Sequence, residues 1–377
     1  MVVPALGPIA PAHGRLTARI ELMDMSYVIM GTGSDLPAGV VSNDDIEAVS
    51  HDFDRTRAGQ SLHEWVMSRT GVASRHRLSA GEGTTEMAVR ASRRALHDAG
   101  LSADDIDLIV LATFTSDCML PSTVSTVARD LGTGARCIQL DTACTGFLDA
   151  LVVATSLMTS IGYRTALVVS VEAMSAVIDP EEFLYQTIFG DGAGAVVIQD
   201  LPGSLFGIEA MRSHTDASRC EWVRVEGGGT KHPITARVLT ERTQFLSLAY
   251  KEIYRFAVDK MVDATHEVLN ALDLTVDDVD WLVPHQTGTS IVGETVERLK
   301  LDPEQVITCL DHTGNVSGAS TAIALDEARR SGRLADGDRI VLTVVGGGMA
   351  WGAVSMRWRQ PRLRVVPDLS TARGGTS

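Results

Sequence analysis

Aromatic residues make up only 5% of this 377-residue chain, so its core must be built from Ala, Val, Ile and Leu within a hydrophobic content of 45%. Basic residues are also scarce. Lys and Arg number 33 against 48 Asp and Glu, a formal net charge of −15. That balance argues against a nucleic-acid binder, which needs a basic face to neutralise phosphates. It still admits a small anionic substrate where basic residues gather locally. Cysteines are few and odd in number: Cys118, Cys137, Cys144, Cys220 and Cys309, none in CxxC spacing. Neither a disulfide framework nor a zinc site follows, and a reducing cytoplasm is the expected compartment. No apolar run approaches the roughly 20 residues that span a bilayer, so no membrane association is expected.

Glycine, by contrast, is plentiful at 34 residues, which implies many tight turns and close backbone contacts. Residues 1–25 are rich in Pro and Ala and read as a loose extension, with Met23 or Met25 as alternative starts; residues 361–377 read as a tail. Between them the chain repeats itself. Gly100-Leu101-Ser102-Ala103-Asp104-Asp105-Ile106-Asp107-Leu108-Ile109-Val110 is echoed by Leu272-Asp273-Leu274-Thr275-Val276-Asp277-Asp278-Val279-Asp280-Trp281-Leu282-Val283. Each copy reads as the end of a helix, an acidic turn and a buried strand. Each half later ends on a glycine-rich turn running into an apolar strand, Gly190–Ile198 in the first and Gly346–Val354 in the second. Strands alternating with helical stretches indicate an α/β architecture made of two duplicated halves, 26–200 and 201–360. Catalytic groups are then expected where the halves face each other.

Cys144 lies in Asp141-Thr142-Ala143-Cys144-Thr145-Gly146-Phe147, where an apolar strand over 135–140 hands over to a helix rich in small residues. The partial positive charge of a helix N-terminus favours a thiolate, the form of cysteine that attacks carbonyl carbon. Taken alone, Cys144 reads first as one more buried thiol, because free cysteine is among the most buried residue types. His285 directly follows a buried strand, Asn315 follows Gly314 in a turn, and Gly346–Gly348 is a tight bend; each has an ordinary structural explanation. Together they supply a nucleophile, hydrogen-bond donors for a developing oxyanion and a proton-transfer group, all at strand ends.

At these positions the sequence resembles the ketoacyl-acyl-carrier-protein synthase III-like condensing enzymes of the thiolase superfamily, from about Ser26 to Trp358. The segments around Cys144, Phe189–Ala195, Pro284-His285-Gln286, Gly314-Asn315 with Ser317, and Gly346–Gly348 with Trp351-Gly352 occur in family order. The resemblance implies a thiolase-like layered α-β-α-β-α fold. It implies Cys144 as acyl-accepting nucleophile, His285 and Asn315 as ligands of the second thioester's carbonyl, and the N–H groups of Cys144 and Gly347 as an oxyanion hole. The substrates it implies are coenzyme A or phosphopantetheine thioesters, with acyl-coenzyme A or an acyl carrier protein as partner and no resident cofactor or metal. Trp65 would stack on adenine and Arg69 meet a phosphate, with Phe183 standing where an arginine is frequent. Leu120 would floor the acyl pocket of the second subunit of a homodimer, and Arg255 would contact an acidic carrier.

The chain departs from the family around the channel. Gly288 and Ser290 replace an Asn and a docking Arg, and Tyr250-Lys251 replaces a small-polar pair. Three readings follow: a decarboxylative condensing enzyme, a same-fold acyltransferase to a hydroxyl or amine, and a silent partner subunit. Asn315 favours the first, the altered carrier and coenzyme contacts favour the second, and the intact Cys144, His285 and Asn315 argue against the third. A hydroxymethylglutaryl-type synthase lacks a convincing acidic base in the sequence.

Overall fold

The computed structural model describes residues 26–360; the extension 1–25 and the tail 361–377 lie outside the described residues. The first half contains β1 (Tyr27–Asp35), the short antiparallel pair β2 (Gly39–Ser42) and β3 (Ser74–Arg77), then β4 (Leu108–Ala112), β5 (Arg136–Leu140), β6 (Thr165–Ala173) and β7 (Asp191–Asp200). The second contains β8 (Gly207–Thr215), the small pair β9 (Val223–Val225) and β10 (Leu246–Leu248), then β11 (Trp281–Pro284), β12 (Arg339–Gly346) and β13 (Ala350–Arg357).

Two main sheets result, ordered β1-β7-β6-β4-β5 and β8-β13-β12-β11. The senses match as well. β1/β7 and β7/β6 are antiparallel and β6/β4 is parallel, as are β8/β13, β13/β12 and β12/β11 respectively. Where β5 extends the first sheet, the second has an isolated parallel bridge between Leu282 and Val306. The acidic turns match in detail. Asp105 accepts from the Ser102 N–H at 2.8 Å and Asp278 from the Thr275 N–H at 2.9 Å. Each caps a single 3₁₀ turn, and the carboxylates of Asp107 and Asp280 then accept from the N–H groups of Thr165 and Arg339.

Side-chain alternation along the buried strands separates the layers. In β4, Leu108, Val110 and Ala112 join a core shared by both halves, whereas Ile109 and Leu111 pack outward against the helix Thr84–Ala99. In β6, Ala166 and Val168 face inward and Leu167, Val169 and Val171 outward. The helices Gly146–Ile161 and Ser320–Arg330 occupy the space between the sheets. The helices Tyr250–Asn270 and Thr289–Leu299 cover the outer face of the second sheet. The order is therefore helix, sheet, helix, sheet, helix, the layered fold expected from the sequence.

By length and mean hydropathy alone (1.5), the segment Ala143–Ile161 has the dimensions of a membrane span, a likeness the sequence reading passed over. Its place between two sheets accounts for that apolarity: a helix packed on both sides needs no continuous polar face.

Candidate active site

Cys144 sits in a 3₁₀ turn, Ala143–Thr145, which joins the end of β5 to the central helix Gly146–Ile161. The corresponding turn of the second half, Ser317–Ala319, opens the helix Ser320–Arg330. The two turns touch. A Cβ on Gly318 would stand 2.6 Å from the Ala143 carbonyl oxygen, so only glycine allows this approach. On the other side Gly346, at the end of β12, is as close: a Cβ there would lie 2.9 Å from the Cβ of Cys144. Three non-glycine residues around the cysteine hold left-handed backbone angles, Ala143 (φ 47°), Ser317 (φ 49°) and Met349 (φ 53°). Such conformations persist only where the surrounding packing imposes them, and they cluster at functional sites.

Cys144, His285, Asn315, Ser317 and Gly346–Met349 line one cavity of about 820 Å³. The Ser317 hydroxyl donates to Cys144 Sγ at 3.4 Å, and the Gly347 N–H also bonds to the sulfur. Burial nonetheless raises the Cys144 thiol above its ordinary range, and the nearby Glu172 adds to the rise. The sequence reading expected the helix N-terminus to favour the thiolate. Losing water around the sulfur works against that field and outweighs the N–H and hydroxyl donors.

His285 is buried, with its backbone N–H bonded to the Thr343 carbonyl at 2.8 Å. Its neighbour Gln286 staples the turn: Nε2 donates to the Pro284 carbonyl at 2.6 Å and Oε1 accepts from the Cys309 N–H at 3.1 Å. Burial lowers the His285 pKa to about 4, so the imidazole is neutral near pH 7. The Asn315 Oδ1 accepts from the Ser317 N–H at 2.8 Å, which fixes the amide and leaves Nδ2 as its remaining donor.

The other sequence candidates lie elsewhere. Trp65 and Phe183 touch edge to face, with centroids 5.8 Å apart, and Arg69 lies over the Trp65 ring at 4.1 Å. Trp65 and Phe183 are thus in contact with each other, and none of the three lines the cavity. Leu120 is 86% exposed beside Met119 at 91%; Met119 borders the cavity and Leu120 does not. Arg255 is exposed on the helix Tyr250–Asn270, next to the cavity-lining Tyr254. Tyr250, noted as a departure, does form part of the cavity wall and stacks on Tyr185 at 5.9 Å.

Two carboxylic acids were missed by the sequence reading. Asp141 lines the cavity, its pKa raised by burial. Glu172, on β6, is fully buried with its pKa raised to about 8, chiefly by desolvation. The available signal was a lone Glu inside the apolar run Ala166–Ala173.

Comparison with known proteins accords with this geometry. The family model of the 3-oxoacyl-[acyl-carrier-protein (ACP)] synthase III C terminal matches residues 269–358, and that of 3-oxoacyl-[ACP] synthase III matches residues 138–217. A β-ketoacyl-[acyl-carrier-protein] synthase III of Rhodospirillum centenum is 37% identical over 340 residues, covering 89% of this chain and 100% of its own length. One from Rhizorhabdus wittichii is 38% identical over 333 residues, covering 88% and 99%. Among solved structures, 3-oxoacyl-[acyl-carrier-protein] synthase III from Aquifex aeolicus superposes with a TM-score of 0.79 at 33% identity, over 88% of this chain and 100% of that one. The priming β-ketosynthase from the R1128 polyketide biosynthetic pathway gives 0.80 at 31% identity, over 90% and 98%. The chain belongs to the 3-oxoacyl-[acyl-carrier-protein] synthase III family of condensing enzymes.

Proposed function

We propose that this protein is a ketosynthase that loads an acyl group onto Cys144 and condenses it decarboxylatively with a malonyl-type thioester. The observation that carries this reading is the meeting of Cys144, from the first half, with His285 and Asn315, from the second, in one cavity. In the first stage the sulfur of Cys144 attacks the acyl thioester carbonyl. The N–H groups of Cys144 and Gly347 receive the oxyanion, the carrier thiol leaves, and the proton of Cys144 ends on that thiol. In the second stage the bond from the malonyl carboxylate to its α-carbon breaks and carbon dioxide departs. The enolate carbon then attacks the acyl-cysteine. The Cys144 sulfur leaves and takes a proton from solvent.

Neutral His285 suits the role of hydrogen-bond donor to the enolate oxygen better than that of base, since its pKa of about 4 makes it a weak proton acceptor. The Asn315 Nδ2 is the second donor, held in place by the Ser317 N–H on Oδ1. Removing a donor of this kind costs on the order of 100-fold or more in rate.

The donor and acceptor are thioesters of coenzyme A or of an acyl carrier protein, in fatty-acid-type or polyketide-type biosynthesis. A homodimer fits the edge position of β5 and the exposed apolar pair Met119-Leu120. The unpaired thiols of all five cysteines suit a reducing cytoplasm. The test is to supply an acyl thioester and a labelled malonyl thioester and follow both carbon dioxide and product. Release of carbon dioxide with a 3-oxoacyl thioester supports condensation. Transfer of the acyl group to an alcohol or amine, with the malonyl group untouched, supports the same-fold acyltransferase instead.

A further inference from the structure

Glu172 is a buried acid that the mechanism above does not use, and its position follows from the strand. Inward-facing Ala166 and Val168 share their face of β6 with Ser170 and Glu172, by the two-residue period of a strand. Ser170 fixes what that face meets: its Oγ lies 3.0 Å from a Cβ placed on Gly318 and 3.5 Å from one on Gly146. Gly146 and Gly318 flank the two turns that carry Cys144 and Ser317. Glu172 is one step further along, at the strand end from which the site is built.

Among the described residues, the groups that act on Glu172 are hydrogen-bond donors and Asp141, while the cation Arg77 acts on the neighbouring Asp191. The Phe114 N–H and the Thr113 hydroxyl donate to it at 3.3 Å, and the Thr115 hydroxyl donates as well. The loop after β4 thus brings hydroxyls and one N–H. On β7 the residue opposite is Gly192. The adjacent Asp191 is occupied by the N–H groups of Leu78 and Ser175 and by the Ser175 hydroxyl. The nucleophile turn contributes Asp141, a like charge that disfavours ionised Glu172, and Cys144 itself. His285, in the same cavity as Cys144, is neutral above about pH 4.

We propose that Glu172 is a positioning residue that sets the charge environment of Cys144: while its carboxyl is protonated the thiolate forms unopposed, and once it has lost its proton to solvent the negative charge beside the sulfur suppresses the thiolate. Its raised pKa of about 8 puts this change at the alkaline edge of the neutral range. The hydroxyls of Thr113 and Thr115 hold the carboxyl in place in both states.

This inference rests on Cys144 being the nucleophile, and the experiment separates the two. The rate of iodoacetamide alkylation is followed at each cysteine by peptide mass spectrometry from about pH 6 to about pH 10, in wild type and Glu172→Gln. The exposed Cys118 and Cys220 serve as internal references. The expected result is a Cys144 curve displaced to lower pH by about one unit in Glu172→Gln, about a tenfold faster rate at a pH between the two curves, with Cys118 and Cys220 unmoved. Thr115→Val, which removes a donor to the carboxylate and keeps Glu172 neutral to higher pH, moves the Cys144 curve the same way by less. It decides the matter if Glu172→Gln does not fold. Superimposable Cys144 curves overturn the inference and leave the nucleophile reading intact. A Cys144 that is not alkylated at any pH overturns both.

Discussion

The hydroxyl of Ser317 lies 3.4 Å from the sulfur of Cys144, although 173 residues separate them in the chain. The contact joins the equivalent turns of two duplicated halves, and it couples the site's two chemistries. Ser317 donates its hydroxyl to the sulfur of Cys144 and its backbone N–H to Oδ1 of Asn315.

Because Asn315 is proposed to serve only the second substrate, acylation and condensation are expected to separate in a variant. Asn315→Ala lowers the rate of β-ketoacyl product formation about 100-fold or more. Loading of Cys144 by an acyl thioester, followed as a mass adduct, changes less than tenfold. Equal losses in both steps would count against the assignment of Asn315 to the second substrate.

The close approach of the two turns makes Gly318 intolerant of any side chain. In Gly318→Ala the new Cβ would stand 2.6 Å from the Ala143 carbonyl and 3.0 Å from Ser170 Oγ. Overpacking of this kind costs about 1–3 kcal/mol. Thermal unfolding should show a lowered Tm, with slower Cys144 alkylation in the protein that remains folded.

Glu172 also leaves a mark on stability. Its pKa is raised from 4.5 to about 8, so between those values the native state holds a proton that the unfolded chain has released. The contribution is fully present below about pH 4.5 and is lost as pH rises through about 8, a change on the order of a few kcal/mol. Glutamine has no such dependence. The Tm of Glu172→Gln relative to wild type should therefore improve from pH 5 to pH 8, measured in parallel thermal melts. A constant difference would contradict a buried protonated carboxyl.

Much of this was legible in the sequence because the duplication repeats chemically specific residues. Asp105 and Asp278 announce matching capped turns, and small residues after Cys144 and Asn315 announce helices that pack closely between sheets. The proton affinities were not legible. A helix N-terminus beside Cys144 can be read from sequence, but the desolvation that opposes it depends on residues from both halves closing over the sulfur. Glu172 is the lone acid among the mostly apolar residues of β6, and only alternation along the strand places it on the Cys144 side. The edge-to-face contact of Trp65 and Phe183 was not legible either, since residues far apart in the chain carry no sign of the angle at which their rings meet. The left-handed angles at Ala143, Ser317 and Met349 carry no residue signature, since none of the three is glycine.

The exposed pair Met119-Leu120 and the edge strand β5 lie on the face proposed to meet a second subunit. Replacing both residues by Asp should shift the species seen by light scattering from dimer toward monomer at micromolar concentration. A monomeric wild type would contradict the proposed homodimer.

The most direct test of the central claim is intact-protein mass spectrometry of wild type and Cys144→Ala after incubation with a panel of acyl thioesters, followed by a malonyl thioester chase. One acyl adduct is expected on wild type and none on Cys144→Ala, discharged by the chase with release of carbon dioxide. An adduct that survives in Cys144→Ala, or one that the malonyl thioester cannot discharge, would contradict it.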